Sequence, residues 1–238
     1  MGSSLTIGVA QFTPARGDLN ANLKTHIQLI DEAADANVDV LIFPELSLSG
    51  YELEMAADLA ISPSATPLLT LHEKAKQHDM IILAGAPLAV PKSKPELALF
   101  ILSPDAPISH YSKINLHGPE NTYFSQGREH VMLQHKSFSL ALAICADIAN
   151  PAHAQQAADA GADCYIASVL ISKSGYAADA SLLSGYAREH NFYVAMANFT
   201  GKFGTWDCAG KSSIWNKNGE LLKQAQASTA IEFTTLQK

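Results

Sequence analysis

The chain has 238 residues, of which 47% are apolar and 16% are charged. This composition excludes a disordered protein and supports a sizeable core. With 16 basic and 23 acidic residues the net charge is −7, and there is no basic cluster, so we expect no nucleic-acid and no membrane binding. No apolar run reaches the roughly 18 residues of a membrane helix. Three widely spaced cysteines predict a reducing, cytoplasmic setting.

The first half of the chain alternates strands with helices. Apolar alternation and β-branched runs predict strands at 5–11, 38–43 and 80–84, the last of them ending at Gly85. Helical periodicity predicts two helices between them, one capped by Asp18 or Asn20 and running to about residue 37, the other at 66–78. The residues expected on their inner faces are Leu23, Ile27 and Ile30 in the first helix, and Leu68, Leu69, Leu71 and Ala75 in the second.

Paired strands dominate after residue 97. Two hairpin-like pairs are predicted, at 98–102 with 108–113 and at 131–133 with 139–144. Two helices and two strands then alternate, at 151–160, 164–169, 179–191 and 193–198. Asn218-Gly219 is the strongest hairpin signal in the chain. Polar, glycine-containing segments at 117–127 and 201–210 are predicted as loops. Without a linker or a short repeat, the economical architecture is one domain over 1–238, with packed sheets inside and helices outside.

One apolar run, at 140–144, ends on Cys145. Because Asn150-Pro151 then predicts a helix start, Cys145 is expected at an elbow between a strand and a helix. Free backbone N–H groups at such an elbow stabilise a thiolate. A free cysteine is equally often a small buried hydrophobe, so this stretch alone leaves both interpretations open.

Two charged residues follow apolar strands in the same way, namely Glu45 and Lys113. Each alone fits a solvated surface position, but groups at strand ends can converge at one edge of a sheet. A carboxylate can take the proton of a thiol as a general base, and an ammonium group can stabilise an oxyanion. Glu45, Lys113 and Cys145 together therefore suit attack on a carbonyl or nitrile carbon.

These motifs resemble those of the nitrilase superfamily of carbon–nitrogen hydrolases, from Ile7 to about Leu222. Phe43-Pro44-Glu45-Leu46 is similar to the catalytic-glutamate motif, and Tyr111-Ser112-Lys113-Ile114-Asn115-Leu116 to the lysine motif. Ile144-Cys145-Ala146-Asp147 is similar to the nucleophile motif, and 120–127 to the segment with a second active-site glutamate, here Glu120. Weaker similarities lie at 188–191, 197–198 and 210–213.

The resemblance implies an α/β fold, a four-layer α-β-β-α sandwich that forms a homodimer or a larger homo-oligomer. It further implies that Cys145 attacks a small non-peptide amide, with Glu45 as the general base and no cofactor or metal. Lys113 and the Ala146 N–H would hold the oxyanion, and Glu120 would orient the lysine or the leaving group. The Cys-Ala-Asp sequence is the amidase-like form. The arginine that many members carry shortly afterwards is absent from 148–151, which argues against a substrate carboxylate there.

Several interpretations stay open at this stage. Tyr51, Tyr176 and Trp206 lie in predicted loops, where they either line the pocket or cap the core. A non-catalytic metabolite-binding or scaffolding protein could use the same fold, since fold alone does not fix function. Acyl transfer from the same thioester is the third hypothesis. The histidines that lack a metal-like spacing are His110, His117, His130, His135, His153 and His190.

Overall fold

Fourteen strands and five helices occur in residues 3–238, the part of the chain that the computed structural model describes. The strands are β1 (Ser4–Gln11), β2 (Val40–Ile42), β3 (Ile81–Leu88), β4 (Glu96–Leu102), β5 (Ser109–Ser112), β6 (Met132–His135), β7 (Phe138–Ile144), β8 (Cys164–Val169), β9 (Tyr193–Asn198), β10 (Thr200–Phe203), β11 (Trp206–Ala209), β12 (Ser213–Trp215), β13 (Leu221–Gln224) and β14 (Ala230–Gln237). The helices are α1 (Leu19–Asp35), α2 (Thr66–His78), α3 (Glu120–Tyr123), α4 (Pro151–Asp159) and α5 (Tyr176–His190).

Two mixed six-stranded sheets are built on the same plan. The first has the order β14-β1-β2-β3-β4-β5, and the second has the order β13-β12-β9-β8-β7-β6. In each sheet three neighbouring strands are parallel, β1-β2-β3 and β7-β8-β9, and the outer strands add antiparallel pairs. Because the carboxyl ends of parallel strands are where α/β folds place functional groups, a functional site is expected at the ends of β2 and β7.

Three separate cores show that the molecule has four layers. One lies between the sheets and contains Leu5, Ile7, Val9, Leu140, Leu142 and Ile144. The second packs α1 and α2 against the first sheet, through Leu29, Ile30, Leu68, Leu71, Phe43 and Ile82. The third packs α4 and α5 against the second sheet, through Ala154, Ala157, Leu183, Tyr186, Val194 and Met196. The predicted four-layer α-β-β-α sandwich, a single-domain α/β fold, is confirmed.

Strand alternation explains how β7 serves two cores at once. Leu140, Leu142 and Ile144 face the opposite sheet, whereas Ala141 and Ala143 face α4 and α5. Successive side chains of a strand point to opposite faces, so a strand that is covered on both sides reads as a continuous apolar run. The small alanines on one face let the helices approach closely. No helix within residues 3–238 is both long and apolar enough to span a membrane.

Most predicted elements agree with the structure, and α2, β8 and β9 have the predicted bounds. The strand predicted to end at Gly85 is an exception, because β3 continues to Leu88. A Cβ atom at Gly85 would lie 2.4 Å from the backbone nitrogen of Leu46, so glycine is needed there for close approach and not for a turn.

Two segments predicted as loops contain regular structure. Residues 117–127 include the short helix α3, whose first residue is Glu120. Residues 201–210 form most of the β10–β11 hairpin, in which Phe203 pairs with Trp206 across a tight turn. Strand β14, which the sequence analysis did not predict, pairs along the whole length of β1. Only Leu236 of that strand is fully buried, so its apolar signal is weak.

The buried face of α1 is more polar than predicted. Its buried residues are Asn22, His26, Leu29, Ile30 and Ala33, whereas the predicted Leu23 and Ile27 are only partly buried. In α2 the predicted inner residue Leu69 is 47% exposed. The polar pair in α1, Asn22 and His26, is buried because it bonds to the loop that follows β2.

Candidate active site

The loop after β2 carries Glu45 and is held from two sides. Asn22 Nδ2 donates to the Leu48 carbonyl at 2.9 Å, and His26 Nε2 lies 3.0 Å from Ser47 Oγ. Ser47 Oγ also accepts from the Gly85 N–H at 3.0 Å. Burial lowers the pKa of His26 to about 4, so this histidine is neutral at pH 7. These bonds satisfy the polar groups of a loop that is buried at the carboxyl end of the strand.

The second loop is an elbow at Cys145, directly after β7. Cys145 has a φ of +41°, a left-handed conformation that is uncommon for a residue with a side chain and that stores strain. The following residues, Cys145–Ala149, form a short 3₁₀ helix, and the Asn150 side chain caps α4 through the Ala152 N–H at 3.2 Å. The predicted strand–elbow–helix arrangement is therefore present. The first N–H groups of a helix lack partners inside it, which leaves donors beside the thiol.

The thiol of Cys145 donates to the carbonyl oxygen of Leu170, with 3.6 Å between the two heavy atoms. The loop that contains Leu170 follows β8 and is fixed by Asn198. Asn198 Oδ1 accepts from the Ile171 N–H at 2.8 Å, and its amide nitrogen donates to the Ile171 and Gly210 carbonyls. Asn198 thus sets the position of the group that orients the thiol.

Asp147, the third residue of the nucleophile motif, is fully buried and braces the elbow. Its carboxylate accepts from the Tyr111 hydroxyl at 2.7 Å and from the Ile144 N–H at 2.9 Å. It also accepts from the backbone and side-chain nitrogens of Asn115, at 2.8 and 2.9 Å. Tyr111 and Asn115 flank Lys113 in sequence. Asp147 therefore fixes the cysteine loop to the lysine segment, and with four donors it is used structurally.

Lys113 connects two glutamates in the buried centre of the site. Its Nζ donates to Glu45 Oε1 at 2.7 Å and to Glu120 Oε1 at 2.8 Å. Glu120 is held further by the Tyr51 hydroxyl and the His117 N–H, both at 2.7 Å. An ammonium group has three donors, so one remains for another partner.

Burial and mutual charge control the ionisation of this cluster. Burial raises the pKa of Glu45 to about 7, with Lys113 opposing the shift and Glu120 adding to it. Burial and the charge of Glu45 raise the pKa of the Cys145 thiol above its ordinary value. Burial disfavours the Lys113 ammonium, but Glu45, Cys145 and Glu120 outweigh it and raise the pKa of Lys113. At pH 7 the lysine is charged and the resting cysteine is a thiol.

These groups surround a cavity of about 270 Å³. This volume lies below the roughly 300–1,000 Å³ typical of drug-sized ligand pockets, so the site fits a small molecule. The lining residues are Glu45, Tyr51, His117, Glu120, Cys145, Ala146, Ile148, Ala149, Leu170, Ile171, Ser172, Gly175, Asp179 and Trp206. Tyr51, His117 and Trp206 also line a larger outer groove, so they form the boundary between the cavity and the surface.

The structure brings most of the predicted site residues together. Glu45, Glu120, Cys145, Ala146 and Tyr51 line the cavity. Lys113 lies directly behind its two glutamates. Tyr176 is the exception, because it is the first residue of α5 and is not among the lining residues. Its hydroxyl lies 3.4 Å from Ser213 Oγ and accepts from Gln224 Nε2 at 2.8 Å.

Sequence reasoning did not assign eight residues of the cavity wall to the site, namely His117, Ile148, Ala149, Leu170, Ile171, Ser172, Gly175 and Asp179. Leu170 contributes a backbone carbonyl, which no side-chain pattern can reveal. Asp179 was placed at the start of a helix, where an acidic residue is common for reasons of stability alone. Among residues 3–238 there is no group of three or more His, Cys, Asp or Glu side chains that could hold a metal ion.

Comparison with known proteins identifies the family. The sequence model of the carbon–nitrogen hydrolase family matches residues 6–237. The 2-oxoglutaramate amidase of Bacillus subtilis is 28% identical over 229 residues, covering 95% of this chain and 88% of that protein. A glutamine-dependent NAD(+) synthetase of Acinetobacter baylyi is 24% identical over 233 residues, covering 93% of this chain and 42% of that protein. The chain spans about two fifths of the length of the NAD(+) synthetases that it matches.

A solved structure has the same fold over nearly the whole chain. It is an amidase from Nesterenkonia sp. AN1, in a mutant form with the acetamide moiety of fluoroacetamide covalently added at the active-site cysteine. Its TM-score is 0.91 at 21% identity, and the match covers 99% of this chain and 92% of that one. The chain thus belongs to the carbon–nitrogen hydrolase family, as the resemblance of its motifs implies.

Proposed function

We propose that this enzyme hydrolyses a small non-peptide amide through a thioester on Cys145. The observation that carries this proposal is the second carboxylate oxygen of Glu45. This Oε2 atom is buried and has no hydrogen-bond partner within residues 3–238, and Glu45 lies close enough to Cys145 that each shifts the pKa of the other. An unpaired buried oxygen is costly, so a native site that keeps one calls for an explanation. The explanation that we propose is that Glu45 is a general base, whose free oxygen accepts the proton of the thiol during the reaction.

The first half-reaction follows from this arrangement. Cys145 Sγ attacks the amide carbon as its proton moves to Glu45, which avoids a free thiolate at a position where burial disfavours one. The third donor of Lys113, together with the Ala146 N–H, stabilises the oxyanion. Glu45 then gives its proton to the leaving nitrogen, the C–N bond breaks, and ammonia or an amine departs. Glu120, held by Tyr51, keeps Lys113 in place as a positioning residue.

The second half-reaction regenerates the thiol. Glu45 takes a proton from water as the water oxygen attacks the thioester carbon, and Lys113 again stabilises the oxyanion. The C–S bond then breaks, the carboxylic acid leaves, and the Cys145 sulfur recovers its proton from Glu45. Apart from the substrate and this water molecule, both half-reactions use only residues of this chain.

An amide fits this site better than a nitrile does. Attack on an amide places negative charge on oxygen at once, where Lys113 has a donor ready. Attack on a nitrile first gives a thioimidate nitrogen, which needs a proton instead of a fixed cation. Ala149 occupies the wall of the cavity shortly after the Cys-Ala-Asp motif, so a substrate carboxylate finds no arginine there. These points support an amide whose acyl group is not anionic.

The test is a rapid-quench experiment with matched amide and nitrile substrates that share one acyl group. We expect an acyl adduct on Cys145 by mass spectrometry and release of ammonia, with a higher kcat/KM for the amide. Product analysis in the presence of hydroxylamine separates hydrolysis from acyl transfer. A preference for nitriles, or an adduct on a residue other than Cys145, would overturn the proposal.

The raised pKa of Glu45 predicts an acid limb in the pH profile. Glu45 must be ionised to accept the proton, so kcat/KM should fall about tenfold per pH unit below about pH 7 and level off above it. An ordinary glutamate would place this limb near 4.5. The measurement is kcat/KM for a neutral amide, with the thermal transition followed over the same range as a control for unfolding. A profile that stays flat down to about pH 5 would contradict a raised pKa at Glu45.

We also propose an oligomeric state and a cellular location for this protein. We expect a homodimer or larger homo-oligomer in a cytoplasmic setting. Light scattering of the purified chain would measure the first, and a monomer at micromolar concentration would contradict it.

A further inference from the structure

The cavity wall contains one carboxylate that the proposed chemistry does not use, that of Asp179. It lies on the first turn of α5, and the loop before that helix also faces the cavity through Ser172 and Gly175. A Cβ atom built on Gly175 would lie 3.6 Å from both Asp179 Oδ2 and Ser172 Oγ, so these two oxygens lie on one side of that loop.

Asp179 has no protein group to neutralise it. Within residues 3–238 it forms no salt bridge and its carboxylate accepts no hydrogen bond, whereas Ser172 Oγ is already paired with Ser174 Oγ at 3.0 Å. Burial alone accounts for a raised pKa at Asp179, with no compensating cation or donor.

The charges around the cavity are unbalanced. Within the part of the chain that the structure describes, no Lys or Arg side chain lines it, and the ammonium of Lys113 is already shared between Glu45 and Glu120. In the outer groove, Arg16 forms two hydrogen bonds with Glu52, at 2.6 and 2.7 Å. A ligand that enters this cavity therefore meets an unpaired negative charge and no free positive charge.

We infer that the substrate is an amide that also carries a cationic group, an ammonium or a guanidinium, which binds to Asp179. This inference rests on the proposed function and narrows its substrate class. A half-buried carboxylate without a partner gains most from a charged donor, because such hydrogen bonds are about twice as strong as neutral ones. Trp206 adds an aromatic wall to the same cavity, and the face of an indole ring attracts cations.

Matched probes can test this class directly. One trio is 3-aminopropanamide, 3-hydroxypropanamide and malonamate, and the other is 6-aminohexanamide, 6-hydroxyhexanamide and adipamate. Within each trio the amide and the number of carbon atoms are constant, and the far end changes from an ammonium to a hydroxyl to a carboxylate. We expect the amino amide of at least one trio to exceed its hydroxy partner in kcat/KM by about tenfold to a hundredfold, mainly through KM, and the anionic member to be poorest.

The Asp179→Asn variant should remove most of that preference while it lowers kcat/KM for the hydroxy amide far less. The matched control is Asp207→Asn, because Asp207 lies next to Trp206 in sequence but pairs with Lys173 outside the cavity. This control should retain the preference. Hydroxy amides that equal or exceed the amino amides in both trios would overturn the inference, and so would a preference that survives in Asp179→Asn.

The same probes separate this inference from the proposed function. Binding of each trio to Cys145→Ala is measured by calorimetry, which does not need turnover. If no amide is hydrolysed by the unsubstituted enzyme, the proposed function fails. Selective binding of the amino amide that Asp179→Asn abolishes would still support the cation site, and equal binding of all three members would overturn it.

Discussion

Replacing Cys145 with alanine is expected to abolish amide turnover, leaving no measurable acyl adduct. Among the described residues that line the cavity, the Cys145 thiol is the nucleophile that lies beside both the proposed base and the proposed oxyanion donors. Alanine keeps the volume of the elbow almost unchanged. The removal of one member of a nucleophilic unit can cost about 10⁶-fold in kcat, because its members act together. Ammonia release from a neutral primary amide is the measurement.

The other two cysteines provide matched controls. Cys164 and Cys208 are fully buried in separate cores and do not line the cavity. Cys164→Ala and Cys208→Ala should each retain most of the activity and lose some stability through lost packing. Iodoacetamide should label Cys145 far faster than either of them, since only Cys145 is accessible. Near-normal turnover in Cys145→Ala, or loss of turnover in a folded Cys164→Ala, would contradict the assignment.

The elbow was predictable because several local signals agree there. The continuous apolar run predicts a strand, and Asn150-Pro151 predicts the start of a helix a few residues later. Together these signals place Cys145 between a strand and a helix. The side chains of Glu45 and Cys145 come from two different sheets, so their approach depends on the packing of those sheets. Spacing along the chain carries no information about that packing. The expectation that Glu45 and Cys145 share one site therefore came from the resemblance to a family.

The errors on α1 have a different physical origin. Periodicity assigns apolar residues to the inner face, yet Asn22 and His26 are buried there. They are stable inside because the Glu45 loop brings unpaired backbone and hydroxyl groups to the same place. A buried functional loop thus requires polar partners from a neighbouring helix. Hydrophobic patterning then assigns the wrong residues to the buried face of that helix.

The hairpin of β10 and β11 shows a third limit. Its strands are only four residues long and each contains a charged residue, so they lack the long apolar alternation that marks a strand. Their pairing is supported by contacts far away in sequence, such as Thr13 Oγ1 donating to the Thr200 carbonyl at 2.7 Å. Because this hairpin places Trp206 in the cavity wall, the wall was harder to predict than the reacting centre.

Lys113→Met is expected to lower kcat by at least about 10²-fold and to destabilise the fold. The kinetic loss is the usual scale for removing one oxyanion donor. The loss of stability arises because the lysine is the counter-charge of two buried carboxylates, and breaking such a buried pair costs about 3–5 kcal/mol. The measurements are kcat for a neutral amide and the free energy of unfolding in urea at pH 8.

Two further variants separate the catalytic role of Lys113 from its structural one. Lys136→Met removes an exposed ion pair with Asp39 and should lower the free energy of unfolding by at most about 1 kcal/mol. This variant is the control for replacing a lysine by methionine outside the site. In Lys113→Met/Glu120→Gln one of the two stranded carboxylates is neutral, so part of the stability should return, because a neutral amide is cheaper to bury than an unpaired charge. The oxyanion donor is still missing, so kcat should stay low. Recovery of kcat together with stability would show that Lys113 acts only by holding the fold together, whereas recovery of stability alone places the ammonium at the developing charge.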